Sequence, residues 1–414
     1  MKSLSIALAY VGIVVGAGLS SGQDILQYFL SFGLSGIAAM VLLGLLNLFY
    51  GKVMLALGSY YQSDNHDEVL RRITHPFVGR LIDVTLVLSG FVIGFVMIAG
   101  AGANLHQQFG LPIWSGAALC SVLMIIVSFL DFEKITHILG VFTPIILVML
   151  LIIMLYTLAK RPYSLAEIKA AAATLIPAVA SPWVSAINYF ALCMLTAASM
   201  AFVLGGSIVR ISQAEKSGAL GGFLVGLIIL MAGFTLFAWL PLAKKADVPM
   251  LAIVSQMSPL FAFFYALTIF ALIFNTAFAL FYATARRFAG SQKKKTRWWF
   301  IGLTLSGFGC SFMGFKALIA LLYPLLGYMG ILLLLAVTLA YLKEQRAMGV
   351  EKKIRRAMIH LAVCRYDDNR TCTKKDWKRF AILGSRSKAN TETIEKGVTE
   401  YVKEALDGAP QGGR

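Results

Sequence analysis

Apolar runs of about 20 residues or more follow one another from Leu4 to Leu342, with short charged segments between them. A helix of that length crosses the roughly 30 Å hydrocarbon core of a bilayer. Runs such as "ILLLLAVTLAYL" are apolar on every face, whereas the strands of an outer-membrane barrel alternate with period two. The chain therefore reads as an all-α polytopic membrane protein. Its composition agrees, with 58% hydrophobic and 14% charged residues in 414.

Ten candidate spans lie at roughly 4–30, 34–58, 78–104, 112–130, 137–159, 183–209, 217–242, 259–286, 297–314 and 318–342. An even count returns both termini to one side. The first five spans, shifted by roughly 180 residues, fall on the last five. The spacing thus predicts a repeat of 4–160 followed by one of 183–342, and an odd number of spans per copy turns the second upside down. No A-x-A site ends the first run, which is expected to stay in the product.

The net charge of +17 would suggest nucleic acid in a soluble protein. Here the positive-inside rule accounts for it, and no nucleic-acid partner is expected. With the N-terminus in the cytoplasm, Arg71, Arg72, Arg80, Arg210, Lys216 and the stretch "ARRFAGSQKKKTR" share that side with a basic tail over 343–414. Lys160, Arg161, Lys244 and Lys245 fall opposite. The implied location is the bacterial cytoplasmic membrane. "SLAEIKAAAA" reads as a short interfacial helix, and "KKADVPMLAIVSQMSP" looks similar; together they could form a lid on the outer face. In the tail, "EQRAMGVEKKIRRAMIHLAVCRYDD" begins as a basic amphipathic helix along the leaflet and "NTETIEKGVTEYVKEAL" as a solvated one, either an ordinary charged tail or a regulatory one.

The first span carries "VVGAGLSSGQD" at its centre. Glycine weakens a helix by up to about 1 kcal/mol relative to alanine, so Gly16 and Gly18 mark where it opens most easily. Ser21-Gly22-Gln23-Asp24 then matches the S-x-x-D pattern that starts a helix. Opened backbone in hydrocarbon is tolerated only where it faces a cavity. Carbonyls near Val14 and Val15 would suit a monovalent cation, and amides of Ala17 to Leu19 a carboxylate. The alternative is a small-residue packing seam of Gly12, Gly16 and Gly18.

The segment "YVGIVVGAGLSSGQDILQYF" resembles the first helix of the YkvI-like bacterial membrane proteins, within the amino acid-polyamine-organocation (APC) superfamily. That resemblance implies the LeuT-like fold: a five-plus-five inverted repeat with discontinuous first and sixth helices and solute bound at the breaks. It also implies a sodium site joining carbonyls of Val14, Ala17 and Leu272 to Asn275 and Thr276, an Asn-Thr pair where the fold usually has adjacent Thr and Ser. Asn275 and Thr276 could instead bond between helices. The fifth span has no lysine to replace the ion.

Candidate substrate contacts are Gly16, Ala17, Gly18, Leu19 and Ser20 on the first span, and Tyr189, Cys193, Thr196 and Ser199 on the sixth. Ser89, Phe91 and Gly94 lie at mid-depth on the third. Asp24 is either a proton-carrying carboxylate or a helix cap. Asp83 with Arg80, and Asp131, Glu133 and Lys134, are either an inner gate or solvated helix ends. The largely apolar surroundings favour a neutral amino acid or similar solute.

The reading is a cation-coupled secondary transporter, with Na+ or H+ as coupling ion and no other cofactor. A receptor on the same fold, with the tail as output, is the alternative. Catalysis is not expected, because His66, His75, His106, His137 and His360 all fall in loops, span ends or the tail. Cys120, Cys193, Cys310, Cys364 and Cys372 form no C-x-x-C pair.

Overall fold

The computed structural model describes residues 3–407 except 16, 63–68, 70, 73, 131–141, 161, 291 and 367–372. Gly16, His66, Asp131, Glu133, Lys134, His137, Arg161 and Cys372, named above, lie outside the described residues.

The first span is three pieces: α1 (Ser3–Val14), α2 (Ala17–Ser21) and α3 (Gln23–Tyr28). Then follow α4 (Leu34–Tyr61), α5 (Pro76–Phe109), α6 (Ile113–Val127), α7 (Phe142–Lys160) and the short α8 (Leu165–Ala172). The second half comprises α9 (Pro182–Gly206), α10 (Ile211–Ala238), the short α11 (Pro249–Met257), α12 (Pro259–Ala289), α13 (Lys293–Cys310) and α14 (Phe315–Tyr366). The tail adds α15 (Lys374–Arg386) and α16 (Thr391–Asp407). Among the described residues, seven helices are long and apolar enough to cross a membrane. The other three expected spans are the divided first, the 15-residue α6 and the 18-residue α13, which opens on three lysines.

Local chemistry sets many of these ends. Pro76, Pro182, Pro249 and Pro259 start their helices, where a missing N–H costs nothing. Ser164 and Glu167 close a capping box on α8, and their hydrogen bonds hold the Glu167 carboxyl below the usual range.

Two packed groups make up the membrane part. The first, second, sixth and seventh spans form one, and the third, fourth, eighth and ninth the other. The fifth span packs on the seventh and eighth, and the tenth on the sixth and third. Between α4 and α10 the backbones touch along a seam of small residues. A Cβ on Gly222 would stand 2.0 Å from the Asn47 carbonyl oxygen, and one on Gly226 2.8 Å from Gly44 Cα. Close approach of this kind is what small-residue spacing achieves in lipid.

Two expectations are corrected here. The sixth span is one continuous helix, Pro182–Gly206, so the break implied for it is not there. Its "TAAS" stretch contains no glycine or proline, and the Thr196 hydroxyl donates to Cys193 O at 2.8 Å within its own helix. The start of the tail is no separate helix on the leaflet either: the tenth span continues unbroken to Tyr366. Arg355 on this extension is buried and donates to the carbonyls of Ser59, Tyr60 and Val209 and to Glu351. Helices α15 and α16 fold against it around Met358, Phe380, Ile394 and Val398.

Candidate functional site at the break in the first span

The first span is interrupted twice. Helix α1 stops at Val14, where Val15 N still donates to Val11 O at 2.8 Å, and α2 starts at Ala17. The second interruption is Gly22, whose φ of 81° lies in the left-handed region that favours glycine. Ser21 Oγ donates back to Gly18 O at 2.9 Å and accepts from Gln23 N at 3.3 Å. Ser21 thus bonds the amide two residues on, not the Asp24 amide that the S-x-x-D pattern engages. Asp24 is not the cap: α3 has Gly22 at its N-cap with no side-chain bond to it.

Instead, the Asp24 carboxyl folds back over α2. Only a glycine leaves room for it, since a Cβ on Gly18 would stand 2.2 Å from Asp24 Oδ2. At Gly18 and Gly12 that also replaces the packing-seam reading: Gly18 faces a carboxyl, and a Cβ on Gly12 would meet nothing closer than Thr143 at 3.9 Å. Asp24 is 3% exposed. Its Oδ2 accepts a hydrogen bond from the Tyr189 hydroxyl at 3.1 Å, and among the described residues its Oδ1 has no partner. Among the described residues, no Lys or Arg forms an ion pair with it.

Beside this carboxyl lies a cavity of about 70 Å³, room for a few waters. The first span contributes Val14, Gly18, Leu19 and Asp24 to its wall, and the sixth Tyr189, Leu192, Cys193 and Thr196. Ile93 and Met97 come from the third span, Thr276 from the eighth and Tyr323 from the tenth. The wall is mainly apolar, with its polar atoms drawn from one carboxyl and several hydroxyls and a thiol. Such a site suits a small solute with a cationic or hydrogen-bond-donating end.

Several residues expected in the site thus come together: Val14, Gly18, Leu19, Asp24, Tyr189, Cys193, Thr196 and Thr276. Others do not. Ser20 is buried outside the lining, its carbonyl accepting from Tyr265 at 2.9 Å. Ser199 is half-buried and stands off the cavity. Ala17 begins α2. Leu272 O accepts from Thr276 Oγ1 at 2.9 Å inside α12, and Asn275 does not line the cavity, though its Oδ1 is buried and, among the described residues, without a partner. On the third span Phe91 stacks on Phe281, and Gly94 lies so close to that ring that a Cβ would overlap it. Ser89 donates to Leu86 O.

Ile93, Met97, Leu192 and Tyr323 were not anticipated. Tyr323 had a visible signal, a hydroxyl-bearing ring in the apolar "LLYPLL". The aliphatic three had none. Arg287, near the end of α12, and Asp83, near the start of α5, form an ion pair between those helices. Among the described residues, no group of three His, Cys, Asp or Glu could hold a metal.

The helix order, the divided first span and the two packed groups define a LeuT-like fold. Among solved structures, inward-facing Mhp1 matches with a TM-score of 0.57 at 14% identity, covering 98% of this chain and 90% of that one. MhsT in complex with L-phenylalanine matches at 0.56 and 16%, covering 98% of each. In sequence, the chain is similar to two proteins of Bacillus subtilis (strain 168). It is 26% identical to the uncharacterized membrane protein YkvI over 326 residues, 79% of this chain and 92% of YkvI. It is 25% identical to the uncharacterized protein YyaD over 336 residues, 80% and 95% of the two chains. No family model matches.

Proposed function

We propose that the chain is a secondary active transporter rather than an enzyme. It would couple a cation, Na+ or H+, to uptake of a neutral amino acid or similar small solute by alternating access. Its setting would be the bacterial cytoplasmic membrane with both termini inside, the arrangement the positive-inside rule favours. The observation that carries this reading is the Asp24 carboxyl at the break, with one oxygen bonded to Tyr189 and the other, among the described residues, unpartnered beside a cavity. An acid at membrane depth is costly unless a cation or proton meets it.

The solute is oriented with its ammonium end toward Asp24, since a carboxylate near Gly18 would meet like charge. Na+ in this site would have Asp24, Thr276 Oγ1 and carbonyls near Val14 as hard oxygen donors. Several packing pairs also exchange when each span is replaced by its counterpart five places on: second-sixth with seventh-first, and third-fourth with eighth-ninth. This exchange supports an inverted repeat, 4–160 and 183–342, with rocking of one packed group against the other.

The test is uptake into proteoliposomes across a panel of amino acids, with sodium and pH gradients imposed separately. L-Phenylalanine, the ligand of the MhsT structure, belongs in that panel. Gradient-driven accumulation of one solute supports the reading, and binding without accumulation points to a receptor with the tail as output. The bonding of Arg355 to the ends of α4 and α9–α10 keeps that second reading in view.

A further inference from the structure

The start of α10 lies against the extension of α14. Between them lies a second cavity, of about 230 Å³. Arg210 and Ser212 stand on one wall, and Lys352, Lys353, Arg355 and Arg356 on the other. Ile211 and Ile359 give it an apolar floor, which lowers the local dielectric and strengthens any charge inside.

The cations are unequally committed. Arg355 is spent on Glu351 and three carbonyls, and Lys352 pairs with Glu215 at 2.7 Å. Among the described residues, Arg210 pairs with no carboxylate, and its Nη1 meets the neutral hydroxyl of Tyr401 at 3.3 Å. Lys353 and Arg356 are exposed and, among the described residues, pair with no carboxylate. Cations gathered round one hollow repel one another, and an anion seated among them reverses the sign of that interaction.

We propose that this cavity binds a phosphate-bearing anion, supplied either by an anionic lipid headgroup or by a soluble phosphate compound. Guanidinium forks match phosphate oxygens bidentately, lysine adds point charge, and the Ser212 hydroxyl adds a neutral donor. A single carboxylate would satisfy only one such fork. Bound there, the anion ties the start of the seventh span to the extension of the tenth, bracing the tail against the loop between the two packed helices α9 and α10. This inference does not rest on the transport reading, because it concerns a different cavity.

The test uses the purified full chain in phosphatidylcholine nanodiscs at matched ionic strength, with inorganic pyrophosphate as the soluble probe and phosphatidylglycerol in the disc as the lipid probe. Calorimetric binding and thermal midpoint are read for the natural chain and for Arg210→Gln, Lys353→Gln and Arg356→Gln, all at exposed positions. Each substitution is expected to weaken binding of the effective probe about tenfold, while Lys375→Gln, exposed elsewhere on the tail, leaves it unchanged. A response to phosphatidylglycerol alone assigns the source to lipid, and a response to pyrophosphate assigns it to a soluble anion. Absence of any response to both probes, or equal loss in Lys375→Gln, overturns the site.

Discussion

The Tyr189 hydroxyl donates to Asp24 Oδ2 at 3.1 Å, joining α3, the last piece of the divided first span, to the first third of the continuous sixth. A hydrogen bond to a charged group contributes about 1.5–3 kcal/mol. Tyr189→Phe should therefore slow coupled uptake by roughly ten- to a hundredfold. Asp24→Asn should abolish accumulation against a gradient while leaving insertion intact. Initial rates in proteoliposomes measure both. Wild-type accumulation by the asparagine variant would remove Asp24 from the mechanism.

Gly18 leaves space that the Asp24 carboxyl fills, with 2.2 Å between Oδ2 and the place of a Cβ. Gly18→Leu should abolish uptake without blocking membrane insertion, and Gly18→Ala should already impair it by displacing the carboxyl. Insertion is followed by membrane fractionation, and uptake by labelled solute. Normal transport by the leucine variant would rule out ligand binding at the break.

Thr276 is the member of the expected cation set on α12 that lines the cavity, its hydroxyl proton given to Leu272 O and its lone pairs available. If Na+ is the coupling ion, Thr276→Val should raise the sodium concentration for half-maximal uptake by about tenfold, the loss of one ligand worth about 1.4 kcal/mol. Proton-driven uptake would be unaltered by the same change. A sodium titration at fixed pH separates the two.

Gly222 packs against the Asn47 carbonyl, and backbone cannot yield as a flexible side chain does. Gly222→Ala should lower stability by about 1–3 kcal/mol, as overpacking does, seen as a lower thermal midpoint in detergent. An unchanged midpoint would show that the α4–α10 seam accommodates a methyl group.

Arg355 is 1% exposed and is held by Glu351 and three carbonyls. Removing one partner of such a buried pair costs about 3–5 kcal/mol, so Arg355→Ala should release the tail and expose it to limited proteolysis. A chain ending near residue 350 should still accumulate solute if it is a transporter. Retained binding with no change in any output would count against the receptor reading.

The sequence by itself determined the spans, the interruption of the first and the short helices α8 and α11, because apolar length, glycine placement and capping residues act within a few residues of the chain. The lining of the site belonged to the tertiary structure. Asp24 reads locally as a cap, but Gly18 leaves it space and Tyr189 supplies a hydroxyl from the sixth span. Met97 and Tyr323 arrive at the same cavity from the third and tenth spans. The continuous sixth helix, and the tail fastened through Arg355 to carbonyls of Ser59, Tyr60 and Val209, were settled the same way. Contacts between residues far apart in the chain depend on how whole helices pack, and hydrophobic pattern specifies which face is apolar without specifying which atoms meet there.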